Sequence, residues 1–152
     1  EVELTTPLSE ETKSIFSKTL QAAGFSLIND RRSQLIEQMK TLVVHKIFHS
    51  TNELDIKWGE YISGKLHLDY KYLSSLFSSV ESITFERYII NQKMERIKEL
   101  IVYDELSLSE IAFKLNYSSV AYLSNQFKKV TGMTPTLFKK VIDKNRKSLD
   151  EI

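Results

Sequence analysis

Residues 72–88 and 122–138 repeat one another at an offset of 50. Tyr72, Leu73, Ser74, Phe77, Val80 and Thr84 meet the identical Tyr122, Leu123, Ser124, Phe127, Val130 and Thr134, and Tyr88 meets Phe138. The shared residues fall mainly three and four apart, the spacing of one helical face. A chain that carries the same amphipathic helix twice has to bury the same face twice, so a duplicated building block is expected.

Each copy follows a shorter helical segment. In the second, LSLSEIAFKLNYSSVAYLSNQFKKVTGMTP, Ser107 and Glu110 form a capping box in which hydroxyl and carboxylate satisfy free backbone donors at a helix start. Ile111, Ala112 and Leu115 then make an apolar stripe. Asn116 stands at the bend, a residue type that tolerates the left-handed conformation. Ser118 or Ser119 caps the next helix, where Leu123, Phe127 and part of Tyr122 face the core. Gly132 suits the stop, and Thr134-Pro135 suits a cap followed by a first helical position. The expected order is a helix at 108–115, a short turn, a helix at 119–130 and a helix at 135–142. Two helices joined by so short a turn are a helix-turn-helix, with the small Ala112 where they cross.

The first copy, WGEYISGKLHLDYKYLSSLFSSVESITF, predicts a helix at 57–65, a turn at 66–68 and a helix at 70–80 capped by Asp69. Ser63 or Gly64 is expected at this crossing. Thr84 caps a long amphipathic stretch with Phe85, Ile89, Ile90, Met94, Ile97, Leu100 and Ile101 at helical spacing. At ~1.5 Å per residue its roughly 18 residues reach ~27 Å. That is the scale of the ~34 Å between successive major-groove faces on one side of B-DNA.

Composition supports helices. The chain of 152 residues has only four Gly and two Pro, too few turn residues for an all-β protein, and its 41% hydrophobic content supports a folded core. It has no Cys, which removes disulfides, thiolate zinc sites and cysteine nucleophiles. No apolar run reaches membrane-spanning length and no signal-peptide pattern opens the chain, so a cytoplasmic protein without a membrane partner is expected. Residue 1 is Glu rather than Met, as expected of a piece of a longer protein. Charge is uneven. Residues 106–149 hold eight Lys/Arg against Glu110 and Asp143, a net of +6, whereas residues 1–60 hold seven against nine acids, a net of −2. A basic end points to a polyanion, with a solvated helical face as the plainer reading.

The second copy, with Ile111-Ala112, Tyr122, Phe127-Lys128, Gly132, Thr134-Pro135 and Phe138, resembles the signature of AraC/XylS-type transcription regulators. With the preceding repeat and linker helix, the resemblance covers residues 55–142. It implies a mainly α domain with two helix-turn-helix subdomains, the second helix of each entering a major groove. It also implies double-stranded DNA as partner, action at promoters, often as an activator, and RNA polymerase as a candidate second partner. No cofactor is implied, and no residue pattern assigns an effector. Asn116 and Ser82 stand where the family usually has Gly, Ile97 replaces a small residue, and Lys93 replaces an Arg.

On the helix at 119–130 the face opposite the core presents Val120, Ala121, Ser124, Asn125, Lys128 and Lys129. Asn can pair with adenine edges, Ser can bond bases or phosphates, and Ala or Val can touch a thymine methyl. Lysines suit phosphates, which set register without reading sequence. The matching face of the first copy offers Lys71, Ser74, Ser75, Ser78 and Ser79. It lacks an Arg or Gln for bidentate contacts, so it is expected to read more weakly.

Residues 1–30 read as strand, helix (from Ser9 to Gly24) and short strand (FSLIND). This resembles half of a heavy-metal-associated, ferredoxin-like domain, a β-α-β appendage with a helical one as the alternative. A connecting helix is expected over 31–54 and a basic tail over 143–152. His45 and His49, four apart, share a helix face, but two ligands alone do not close a zinc site, and packing is the favoured reading. His67 falls in the first turn, within reach of a phosphate. An enzyme would need a nucleophile with its base, a carboxylate pair or a metal constellation, and none is evident. The remaining alternative is a helical interaction module without DNA binding, which leaves the repeat and the basic end unexplained.

Overall fold

The computed structural model describes residues 9–24, 28–50, 54 and 56–150. They form α1 (Glu10–Ala22), α2 (Ile28–Phe48), α3 (Trp58–Leu66), α4 (Tyr70–Glu81), α5 (Phe85–Tyr103), α6 (Leu108–Lys114), α7 (Val120–Thr131) and α8 (Pro135–Asp150). The chain divides into an N-terminal unit, Glu1–Gln38, and a C-terminal unit, Met39–Ile152.

In the N-terminal unit, Ser9 caps α1 by accepting from the Thr12 amide at 3.3 Å, and Glu10 and Glu11 occupy the first turn, where the helix dipole favours anions. Gly24 follows the helix with φ +78°. No residue of α1 is buried. Among the described residues no strand occurs. The strand expected at FSLIND is overturned at Ile28–Asp30, which open α2 instead. A run that short has no ladder partner in a helical chain, and Asp30 suits a helix start. The strand expected at the very start lies outside the described residues. Without a strand at Ile28–Asp30, the ferredoxin-like resemblance has no support among the described residues. α2 ends at Phe48, short of residue 54.

The C-terminal unit is built around α5, which packs against α4, α6, α7 and α8. Its inward stripe of Phe85, Ile89, Met94, Ile97, Leu100 and Ile101 is buried. α3 packs on α4 and α6 on α7, two helix pairs on one continuous axle. Met39, Val43 and Ile47, four apart on α2, add a buried stripe. Lys40 pairs with Glu81 at the end of α4 at 2.7 Å. The Arg96 guanidinium lies 5.6 Å from the Phe48 ring centre.

Caps fix the element boundaries. Asp69, Thr84, Ser107 and Ser119 each accept from the amide three residues on, and Ser107 and Glu110 form the full capping box. The Glu110 carboxylate, held by the Ser107 hydroxyl and amide, stays below the usual carboxylate range. Thr134 accepts from the Leu137 amide at 3.3 Å, so the shared Thr starts the following helix in both copies. The basic tail expected over 143–152 is largely helix, because α8 runs on through Asp150. No Gly or Pro follows Pro135 to stop it.

Candidate nucleic-acid interface

The two helix pairs share a core and differ at the turn. Leu73 and Phe77 in α4, and Leu123 and Phe127 in α7, are fully buried. Phe77 packs on Tyr88 of α5 with ring centres 5.3 Å apart, and Phe127 on Phe138 of α8 at 5.6 Å. These equivalent aromatic pairs are what the near match of Tyr88 and Phe138 encodes. Pinning each second helix by its inner face leaves its opposite face outward.

The first turn comprises residues 67–69. His67 is left-handed (φ 55°) and donates its amide to the Ser63 carbonyl at 2.8 Å. The small residue at this crossing is Gly59, not Ser63 or Gly64. A Cβ on Gly59 would stand 3.3 Å from the Tyr70 ring, whereas one on Gly64 would meet nothing within 4 Å. The Tyr70 hydroxyl donates to Glu86 of α5 at 2.5 Å. Burial, and then that bond, raises the phenol pKa, while the same bond holds the Glu86 carboxyl below its ordinary value against the opposing effect of burial.

The second turn comprises residues 115–119, with Asn116 left-handed (φ 55°) at the bend. A helix leaves its last carbonyls without partners, and a seven-residue helix can least tolerate that. In α6 they are all satisfied. Ile111 O accepts from Leu115 N, Ala112 O from Tyr117 N at 2.8 Å, and Phe113 O from Asn116 N at 3.0 Å. The last two ties come from distant residues: Leu54 N donates to Lys114 O at 3.0 Å, and Lys93 Nζ of α5 donates to Leu115 O at 2.9 Å. The Lys93 ammonium also lies 5.0 Å from the Tyr117 ring centre. The Tyr117 hydroxyl donates in turn to Gln126 of α7 at 2.7 Å. Burial pushes the Lys93 pKa down to about 8 and raises that of Tyr117.

On the outward face of α7, Ala121, Asn125, Lys128 and Lys129 are exposed, and Val120 and Ser124 half-buried. The side chains of Asn125, Lys128 and Lys129 make no hydrogen bond or ion pair among the described residues. On α4, Lys71, Ser75 and Ser79 are exposed, and Ser74 and Ser78 half-buried. Three of these serines turn back onto their own helix: Ser74 to Lys71 O at 3.3 Å, Ser78 to Ser74 O at 3.0 Å and Ser79 to Leu76 O at 2.7 Å. Tyr72 and Tyr122 belong to the outer surface as well, 49% and 54% exposed. Tyr122 therefore contributes less to the core than its place beside Leu123 suggests. Lys140 and Lys144 of α8 are exposed, while Lys139 bonds Asp104.

His67 is exposed at the first turn. The rings of His45 and His49 lie 5.7 Å apart, and among the described residues no group of three His, Cys, Asp or Glu is placed to hold a metal ion.

A family model described as a helix-turn-helix domain matches residues 62–140, from α3 into α8. The chain belongs to the AraC-type helix-turn-helix family. Among curated relatives, the Msm operon regulatory protein of Streptococcus mutans is 30% identical over 102 residues, 67% of this chain and 36% of that protein. The HTH-type transcriptional regulator YtdP of Bacillus subtilis is 28% identical over 71% of this chain and 14% of its own length. The chain thus spans about a third or less of these relatives. Of solved structures, the C-terminal domain of the response regulator yesN from Fusobacterium nucleatum is 30% identical, with a TM-score of 0.56 over 67% of this chain and 98% of that one. The C-terminal domain of AraT from Geobacillus stearothermophilus shares the fold at 23% identity, with a TM-score of 0.61 over 70% and 84%. No described helix is long and apolar enough to cross a membrane.

Proposed function

We propose that this AraC-type domain is a sequence-specific reader of double-stranded DNA that regulates transcription, as an activator in contact with RNA polymerase. α4 and α7 each enter a major groove, on successive turns of one face of the duplex. The observation that carries this reading is the pair of equivalent helices, each pinned by a buried Leu and Phe and each turning its other face to solvent, mounted on one helix. α5 has 19 residues, or ~28 Å at the standard rise, close to the ~34 Å helical repeat. Asn125 reads a base edge, with Ala121 and Val120 beside it for a thymine methyl and Ser124 for a base or phosphate. Lys128 and Lys129 hold phosphates, as does Lys71 of α4. Ser74, Ser75 and Ser78 follow the groove more loosely.

Fluorescence anisotropy with duplexes enriched from a randomised pool, titrated at several salt concentrations, tests this. Affinity should fall steeply as salt rises, and scrambled duplexes should bind ~10³-fold or more weakly. Binding indifferent to both salt and sequence would instead favour a helical interaction module.

A further inference from the structure

The Lys93 contacts carry more than the closure of a helix end. Lys93 is the point at which the axle touches the second turn: its ammonium meets the Leu115 carbonyl at 2.9 Å and faces the Tyr117 ring at 5.0 Å. Tyr117 carries the contact onward, because its hydroxyl donates to Gln126 within α7. A continuous line therefore runs from the middle of α5, through the turn, into the helix that bears Asn125 and Lys128. Among the described residues, no lysine of α5 makes an equivalent tie to the turn of the first helix pair. There the tie to α5 is made by Tyr70, at the start of α4 itself, to Glu86.

A half-buried lysine is a costly way to fill this space. An apolar side chain of similar length would avoid the desolvation that lowers the ammonium pKa. What the lysine adds is direction. A carbonyl and a ring face placed on two sides of one cation define where the turn sits, which apolar packing does less sharply.

We infer that Lys93 is a positioning residue for the second DNA-reading helix: by fixing Leu115 and Tyr117 against α5, it sets the angle at which α7 presents Asn125 to the bases. The inference rests on the DNA-reading function proposed above. Lys93 lies on the axle and takes no part in the proposed base or phosphate contacts.

The test uses the full chain and the duplex it prefers from a randomised pool, with single base changes placed in the half bound by α7 or in the half bound by α4. Lys93→Met keeps the stem and removes the cation. It should lose ~10-fold or more of the discrimination in the α7 half, the scale of a hydrogen bond to a charged group, and keep that in the α4 half. Its thermal midpoint should be unchanged or raised. Lys93→Arg, which restores a cation, should recover discrimination to within ~3-fold of the parent. Tyr117→Phe keeps the ring beneath the ammonium and deletes the Gln126 bond, and should lose ~3-fold in the same half. Parent-like discrimination in both Lys93→Met and Tyr117→Phe overturns the inference. So does a loss shared equally by the two halves, or one that tracks a falling midpoint. If the parent enriches no sequence, the DNA-reading proposal itself fails. Amide exchange then still tests the tie, because Lys93→Met should speed exchange at Tyr117 and through the first turn of α7 while leaving α4 unchanged, and equal rates would remove it.

Discussion

The two helix pairs have the same inside and different outsides. Leu73 and Phe77 match Leu123 and Phe127 in position and burial, and each Phe meets an aromatic of the helix that follows its own. Outside, α7 bears Asn125, Lys128 and Lys129, all without partners among the described residues, while α4 bears serines whose hydroxyls are largely spent on their own helix. The difference teaches that duplication preserved what holds a second helix in place and released what it shows to a partner. On that reading the second pair carries most of the base discrimination and the first supplies alignment and affinity.

The largest effect should come from breaking what the copies share. Phe77→Ala and Phe127→Ala should each cost ~3–5 kcal/mol, as large aromatic truncations in a closed core do. Denaturant titration of both variants measures this. Values that differ twofold would show that the two cores are unequal despite their identical anchors.

Changes to the outer faces should be smaller and unequal between the copies. Asn125→Ala should cost ~1–3 kcal/mol at one base position of the α7 half-site. Ser78→Ala should change specific affinity by less than ~0.5 kcal/mol, because its hydroxyl already has an acceptor in Ser74 O. Lys128→Ala should weaken binding to all sequences and reduce the salt slope by ~0.9, the share of one phosphate contact. Anisotropy against matched and mismatched duplexes reads all three, and an equal loss from Asn125→Ala and Ser78→Ala would end the proposed division of labour.

A pH dependence separates the two ties to α5. The folded-state pKa of Glu86 is depressed, first by the Tyr70 hydroxyl, so its contribution is present above the unfolded carboxylate value and is lost as pH falls through the folded one. Glu86→Gln should flatten the acid limb of the stability curve. For Lys93 the folded value is lowered to about 8, so the desolvation penalty on the charged form eases as pH climbs from there toward the unfolded lysine value. Thermal melts across pH should show the parent gaining on Lys93→Met over that alkaline window.

A small gain in stability concerns the bends. Ser82 and Asn116 adopt left-handed conformations (φ 59° and 55°) that a side chain disfavours. Ser82→Gly should stabilise by ~0.5–1 kcal/mol, and Asn116→Gly by less, since Asn tolerates this region. Denaturation midpoints decide the order.

The parts legible in the sequence are those whose signal is local. Caps at Asp69, Thr84, Ser107 and Thr134, the bend at Asn116 and the inner stripes of α4, α5 and α7 are written within four residues of where they act. Parts that depend on what folding brings together were not legible. Gly59 matters only because Tyr70 stands over it. Lys93 reads as surface charge until Leu115 comes within reach, 22 residues away. The serines of α4 were visible as a polar face, but whether a hydroxyl points outward or bonds the carbonyl behind it is a rotamer choice that residue type leaves open. The strand read at FSLIND fails over Ile28–Asp30 because period alone cannot separate a short strand from a helix start.

The length of α8 also changes what its lysines can do. Charges on a loose tail spread over a cloud and attract a polyanion from any direction. Lys140 and Lys144 instead sit one turn apart on a rod, their backbones ~6 Å from each other along its axis. A rod offers its charge to one side only, so these cations reward a single approach and do nothing for the others. The C-terminal end of the chain therefore behaves less like a tether and more like a keel.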